Sequence, residues 1–136
     1  MRIPFALLAN NDDDYVKLFA TVFDKQIAYA SLVTESSGKA MLSFLETRTW
    51  DDLPSLILLD YQLSDMTAPE VLRELLPDSR YRTIPKGIWI NQIGERQIAE
   101  CGNLGVHCFL KKGEGIFECE SSIRHIDNLL KTELSL

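Results

Sequence analysis

The chain has 136 residues, a formal net charge of −6, and 46% apolar and 25% charged residues. This length suits one domain with its own core, and the composition is that of a globular protein. The acidic balance argues against nucleic acid or a membrane surface as the main partner, and no apolar stretch is long enough to span a bilayer. Three cysteines without metal-ligand spacing predict reduced thiols in a cytoplasmic protein.

Short apolar runs alternate with amphipathic segments along the whole chain. The runs predict five strands, at residues 5–9, 27–33, 55–60, 86–91 and 106–110. The third strand is a continuous apolar run after Ser55, which is typical of a strand covered on both faces. Apolar residues at helical spacing predict a helix after each strand, at residues 15–23, 40–45, 69–76, 94–103 and 123–130. The fourth of these helices has little apolar face, and we expect it to be short or mobile.

Polar residues and prolines mark the ends of the predicted elements. Residues 10–14 form a polar turn whose acids favour the N-terminus of the first helix, and residues 34–37 cap the second helix. Pro69 fits the first turn of the third helix, and Pro77 stops that helix. The other connections are expected to be loops, at residues 50–54, 78–85 and 111–115.

The order of the elements predicts the fold. Five strand–helix units in 136 residues leave about 27 residues each, close to the roughly 30 residues of a βαβ unit. Right-handed crossovers then give a parallel sheet with helices on both faces. We predict one α/β domain over residues 1–136, a flavodoxin-like (βα)5 three-layer sandwich with strand order 2-1-3-4-5.

Polar residues follow four of the predicted strands: Asn10 and Asn11, Asp60, Asn91, and Lys112. Because the carboxyl ends of parallel strands meet at one edge, where ligands collect in open α/β sheets, we expect these side chains to lie close together. An Asp in this position is also common as a cap of a turn or helix. The pair of Asp60 and Lys112 points to a site more specifically than either residue alone.

Two segments resemble two-component response regulator receiver domains. Residues 58–66, with the sequence Leu-Leu-Asp-Tyr-Gln-Leu-Ser-Asp-Met, resemble the segment that carries the family's phosphorylated aspartate. Residues 105–112 resemble the family's last strand, and the resemblance covers essentially the whole chain. It implies phosphorelay signal transduction in which Asp60 is the phosphoacceptor, Phe109 is the switch aromatic residue and Lys112 is the lysine that stabilises the phosphoryl oxygens.

The resemblance also implies a Mg²⁺ site, made by carboxylates of the first turn, by Asp60 and by the backbone carbonyl of Gln62. Here Asn10 and Asn11 stand where the family has an acidic pair, so both charges are missing. Asp12 would reach the site only after a shift that spoils the register of the flanking apolar residues. We therefore expect Mg²⁺ binding to be weak or absent.

The predicted switch departs from the family pattern as well. Asn91 stands at the end of the fourth strand, where the family has Thr or Ser, and its amide is a longer donor than a hydroxyl. Asn91 is nevertheless the candidate for a catalytic and switching role at that strand. Phe109 in place of the family's Tyr is a smaller change, because the switch uses the ring.

Three functions are compatible with these residues. The first is a stand-alone phosphorylatable receiver, and the second is a pseudo-receiver that binds a protein independently of phosphorylation. The third is an enzyme or flavin protein on the same fold, and it is disfavoured. A flavin phosphate needs a first loop rich in Ser, Thr and Gly, whereas residues 12–14 are acids, and aspartate-based phosphohydrolases need a second Asp where Gln62 stands. We expect a phosphoacceptor and not an enzyme, with the first two readings left open.

The resemblance implies protein partners. A histidine kinase or a phosphotransfer protein would supply the phosphoryl group. A downstream protein, or a second copy of the chain, would contact the face formed by residues 94–130. Because the fourth helix has few apolar residues, we expect this contact to be modest and partly polar. Neither nucleic acid nor a membrane is an expected partner.

Overall fold

The computed structural model describes residues 3–90, 94–111 and 116–134. Its five strands form one parallel sheet in the order 2-1-3-4-5, which confirms the predicted flavodoxin-like topology. The strands are β1 (Phe5–Ala9), β2 (Ser31–Glu35), β3 (Leu56–Asp60), β4 (Lys86–Ile90) and β5 (Cys108–Lys111). The helices are α1 (Asp13–Gln26), α2 (Gly38–Glu46), α3 (Ala68–Leu75), α4 (Glu95–Asn103) and α5 (Ile116–Glu133). No helix in the described ranges is both long and apolar enough to cross a membrane.

The sheet is buried on both sides, so the protein has two apolar cores. On β3, Leu56 and Leu58 pack with α1 and α5, whereas Ile57 and Leu59 pack with α2, α3 and α4. All four of these side chains have no exposed surface. This two-sided burial explains the continuous apolar run in the sequence, because neither face of the strand meets water.

The first boundary that differs from the prediction is that of β2. The prediction began this strand at residue 27, but Ile27 instead ends α1, where its N–H donates to the carbonyl of Phe23 at 2.8 Å. The strand begins at Ser31 and continues through Thr34 and Glu35, which the sequence assigned to a helix cap. Those two residues pair with the last two residues of β1, so β2 extends as far as β1 toward the carboxyl edge of the sheet.

Two boundaries in the second half also differ. β5 begins at Cys108 and includes Lys111, whereas the prediction placed it at residues 106–110 and Lys111 in a loop. Helix α5 begins at Ile116, well before the first apolar residue that marked it in the sequence. The first three residues of α5 are exposed, and the buried residues that follow, Cys119 and Ser122, are small and were not counted in the apolar pattern. Helix α4 has Cys101 as its fully buried residue, in agreement with its weak apolar pattern.

The segment 78–85, predicted as a polar loop, contributes to the core. Tyr81 and Ile84 are buried against the α2–α4 side of the sheet. The ammonium group of Lys86 is also buried, and its Nζ donates to the carbonyls of Tyr81 at 2.6 Å and Ile84 at 2.9 Å. Burial lowers the pKa of Lys86, and the two carbonyls provide the hydrogen bonds that a buried ammonium needs.

Asp65 connects the loop after β3 to the N-terminus of α2. Its carboxylate accepts hydrogen bonds from the backbone N–H groups of Gly38 and Lys39, both at 2.9 Å. The hydroxyl of Ser37 accepts the next N–H, that of Ala40, at 3.0 Å. The first three N–H groups of α2 therefore have side-chain acceptors. Ser37 is the local one, whereas Asp65 comes from the loop after β3. These hydrogen bonds, led by that from Lys39, lower the pKa of Asp65.

We expect Asp65→Ala to lower the free energy of unfolding by about 0.5–1 kcal/mol near neutral pH, since the carboxylate is exposed and its capping contribution falls at the low end of the usual range. Because folding lowers this pKa, the stabilisation is present above the unfolded value of about 4 and is lost as the pH falls through the folded value. Urea unfolding at neutral and acidic pH measures the difference. Ser64→Ala, at an exposed neighbour, is the control. A difference that stays the same at both pH values would contradict this role.

Candidate functional site

The strand register brings three side chains to one level at the carboxyl edge of the sheet. Asn10 and Asp60 are predicted site residues, and Trp89 is not. Ala9 pairs with Leu59, so Asn10 lies beside Asp60 on the neighbouring strand. Asp60 pairs in turn with Trp89 of β4. Because laterally paired residues of a parallel sheet point to the same face, these side chains share the face that α1 and α5 cover. Asn91 and Lys112 lie outside the described residues.

The loop that follows Asp60 is tied to its surroundings by backbone hydrogen bonds. The N–H of Tyr61 donates to the carbonyl of Trp89 at 3.1 Å, and the carbonyl of Tyr61 accepts from Ala68 at 2.8 Å. Inside the loop, the N–H of Leu63 donates to the carbonyl of Met66 at 2.9 Å. These contacts hold Gln62 in a tight turn two residues after Asp60, with its side-chain amide donating to the carbonyl of Leu63.

The turn after β1 uses its polar side chains internally. Asn10 is only 2% exposed, and its Oδ1 accepts the backbone N–H of Asp12 at 2.8 Å. Its Nδ2 is buried and has no hydrogen-bond partner among the described residues. Asp12 is the N-cap of α1, where its Oδ1 accepts the N–H of Tyr15 at 3.2 Å. Asn11 is exposed between them. Asp12 therefore lies at the start of α1, where one of its carboxylate oxygens caps the helix.

An aromatic cluster lies beneath Asp60 on the same face of the sheet. Trp89 is fully buried and makes edge-on contacts with Phe19, at 5.1 Å between ring centroids, and with Tyr15, at 5.8 Å. Burial raises the pKa of the Tyr15 hydroxyl above its ordinary value, and the charges of Cys119 and Asp60 raise it further. The Tyr15 hydroxyl thus stays protonated within electrostatic reach of Asp60. Sequence reasoning missed Tyr15, which it counted only as part of a helix face.

The comparison with solved structures identifies the fold. RcpA, a cyanobacterial phytochrome response regulator in its phosphorylated form, is 21% identical over 95% of this chain and 94% of its own, with a TM-score of 0.83. The fold is that of a response regulator receiver domain. The Mn²⁺-bound response regulator Rcp1 is 23% identical over 92% of each chain, with a TM-score of 0.80. A two-component response regulator from Legionella pneumophila is 22% identical over 98% of this chain and 99% of its own, with a TM-score of 0.78. No family model and no curated protein matches the sequence.

The described side chains fit a divalent cation poorly for a receiver domain. Within the described ranges, no three His, Cys, Asp or Glu side chains are grouped closely enough to hold a metal ion. The oxygen of Asn10 is engaged by the backbone of Asp12, and one carboxylate oxygen of Asp12 caps α1. Of the other predicted ligands, Asn11 is neutral and exposed, so Asp60 and Asp12 are the two that carry charge. Mg²⁺ usually takes one or two carboxylates together with several waters, and the neutral amides of Asn10 and Asn11 leave this set with little negative charge.

The β4 and β5 side of the receiver fold carries the predicted switch aromatic residue. Phe109 is partly buried on the α2–α4 side of the sheet and pairs with Ile88. Ile90, two residues further along β4, packs on that same side. The side chain of Ile90 has neither a hydroxyl nor an amide, so it cannot itself make a polar contact with a phosphoryl group. Sequence reasoning did not consider Ile90, because it assigned the switch to the next residue, Asn91.

We predict that Mg²⁺ binds much more weakly to this chain than to its Asn10→Asp/Asn11→Asp variant. Two unit charges about 4 Å apart interact by about 4 kcal/mol at an effective dielectric constant of 20, before desolvation. Even about 1.4 kcal/mol that survives for each restored charge is a tenfold gain in affinity. Trp89 can report binding by fluorescence once the exposed Trp50 is replaced by Phe. Tight binding by the unaltered protein that Asp12→Asn removes would instead make Asp12 the ligand.

Proposed function

We propose that the chain, taken as one receiver domain, accepts a phosphoryl group on Asp60 in phosphorelay signal transduction. One observation carries this proposal: the fold places a half-buried Asp60 at the carboxyl end of its central strand, followed at once by a tightly held loop. An oxygen of Asp60 attacks the phosphorus of a phosphohistidine on a histidine kinase or phosphotransfer protein. The phosphorus–nitrogen bond breaks, its electron pair stays on the imidazole, and the product is an acyl phosphate.

The surroundings of Asp60 suit this chemistry. The rigid strand and the hydrogen-bonded loop position the carboxylate, and positioning supplies much of the catalysis of phosphoryl transfer. Lys112 is assigned the cationic role by its place in the sequence, directly after β5. Cys101, Cys108 and Cys119 are free thiols, which suits the reducing cytoplasm that we propose for the protein. The domain acts as a phosphoacceptor with at most self-catalysed transfer and dephosphorylation.

A second candidate function is a pseudo-receiver that binds its partner independently of phosphorylation. The neutral turn at Asn10 and Asn11 favours this candidate, as does Ile90 on the same side of the sheet as Phe109. The turn lacks the acidic pair that would hold Mg²⁺ for phosphorylation, and the Ile90 side chain offers no polar group beside Phe109. In this case the fold would present a fixed surface, and Asp60 would serve only as a polar residue at the edge of the sheet.

The partner surface that we propose is the face formed by residues 94–130. At the start of α5, Ile116 is 58% exposed and Phe117 is 74% exposed. Large exposed apolar side chains next to each other are typical of contact sites. Helix α4, which packs on the opposite face of the sheet from α5, exposes mainly polar residues, so the proposed contact combines an apolar anchor with polar surroundings. Its occupant would be a downstream protein or a second copy of the chain.

We expect Asp60→Asn to abolish labelling by a small phosphodonor, measured as a mass increase of one phosphoryl group that is labile to acid and base. The amide is isosteric but cannot form the acyl phosphate. Asp13→Asn, at an exposed acid in the first turn of α1, is the matched control and should label normally. Labelling that persists in Asp60→Asn would place the acceptor elsewhere, and unlabelled wild-type protein would favour the pseudo-receiver.

We expect Phe117→Ser to weaken association with a partner, or self-association, by about tenfold, as truncation of an aromatic anchor commonly does. Sedimentation or light scattering over a range of concentrations measures the self-association. Trp50→Ser is the control, because Trp50 is similarly exposed at 64% but lies outside the 94–130 face. Equal effects of the two substitutions would contradict the assignment of this face.

A further inference from the structure

We propose that the amide nitrogen of Asn10 binds an oxygen of a phosphorus oxyanion at Asp60, in the place of a divalent cation. The oxyanion is either a phosphoryl group on Asp60 or free phosphate, which share the same tetrahedral array of acceptor oxygens. The first form rests on the proposed function of Asp60. The site would then hold its phosphoryl oxygen without Mg²⁺.

The orientation of the Asn10 amide is determined by chemistry. The backbone N–H of Asp12 is a donor, so the Asn10 atom 2.8 Å from it must be the oxygen. The nitrogen is the other end of the same planar group. Asn10 itself is anchored, since its backbone N–H donates to the carbonyl of Glu35 at 3.1 Å. The turn that begins α1 thus uses one lone pair of this oxygen and fixes the direction of the amide group.

The nitrogen is a buried donor that needs an acceptor. Nδ2 of Asn10 has no hydrogen-bond partner among the described residues, and the residue is 2% exposed. Buried donors are almost always paired, so an unpaired one beside a candidate site points to a missing ligand. Asn10 lies next to Asp60 on the adjacent strand and shares its face of the sheet. An oxygen carried by a group on Asp60 is the acceptor that this placement favours.

The partial charge of the Asn10 NH₂ group decides whether it attracts an anion or a metal cation. An NH₂ group presents partial positive charge, which attracts a phosphoryl oxygen and repels Mg²⁺. The acids that follow, at positions 12–14, are exposed, and their repulsion of an anion is screened by water and salt. Asp12 also directs a carboxylate oxygen to the N–H of Tyr15, in the first turn of α1.

The test compares labelling by acetyl phosphate in EDTA and in Mg²⁺. In this reaction an oxygen of Asp60 bonds to phosphorus, the phosphorus–oxygen bond of the donor breaks, and acetate leaves with the electron pair. We expect the labelling rate of the unaltered protein to differ by less than about twofold between the two conditions. Asn10→Asp keeps an acceptor for the N–H of Asp12 but loses the donor. It should lower the rate in EDTA by about tenfold or more and make labelling depend on Mg²⁺.

Ser64→Asp is the matched control, since it adds the same charge at an exposed position of the loop after Asp60. It should leave the ratio of the two rates unchanged. If the unaltered protein labels only with Mg²⁺, the role of Asn10 is overturned while Asp60 remains the acceptor. The same conclusion follows if Asn10→Asp labels normally in EDTA.

If the protein is labelled neither in EDTA nor in Mg²⁺, the proposed function fails. The role of Asn10 is then tested by the binding of free phosphate. Inorganic phosphate is then titrated in EDTA into Asp60→Asn, which removes the repelling charge, with Trp89 as the reporter in a Trp50→Phe background. Saturable binding that Asn10→Asp abolishes supports the anion site. No binding, or binding that Asn10→Asp leaves unchanged, overturns it.

Discussion

The pairing of β3 with its two neighbours is the constraint on which the site depends. Ala9 opposite Leu59 and Trp89 opposite Asp60 set Asn10, Asp60 and the indole at one level. A slip of one residue would turn every side chain of the strand to the opposite face. That slip is prevented because both faces of β3 are buried in separate apolar cores, so either displacement would exchange two complete sets of packed side chains.

The aromatic cluster beneath the site lowers the exposure of the nearby polar groups to water and so strengthens their hydrogen bonds. Trp89, Tyr15 and Phe19 bury the part of this face on which Asn10 lies, whereas Asp60 is half-buried at its edge. In such surroundings a polar atom without a partner is unfavourable, and each hydrogen bond counts for more than it would in water. The amide of Asn10 is therefore a directed group, with its oxygen used by the turn and its buried nitrogen without a partner among the described residues, which is the basis of the anion role that we propose for it.

The other side of the site is stiffened through the loop after β3. Backbone contacts of Tyr61 fix its start, and Asp65 joins its middle to the first N–H groups of α2. The same loop packs closely on α2, because a Cβ on Gly38 would lie 2.8 Å from the sulfur of Met66. The segment after Asp60 is thus held by β4 and by α2, while the apolar contact surface at Phe117 lies on a separate helix.

The sequence by itself determined the strand order and the position of Asp60. Continuous apolar runs, the spacing of the units and the handedness of crossovers are local or generic properties, and they sufficed to put Asp60 at the edge of a parallel sheet. Only the tertiary structure decided where β2 begins, which end of the Asn10 amide is free, that Ile90 packs on the side of Phe109, and that Asp65 caps α2. The cap by Asp65, the packing of Ile90 beside Phe109 and the pairing of β2 with β1 join residues distant in the chain, so no pattern within a short window of sequence could encode them. The oxygen of Asn10 is held locally by Asp12, but the burial of the nitrogen without an acceptor depends on the residues packed around it.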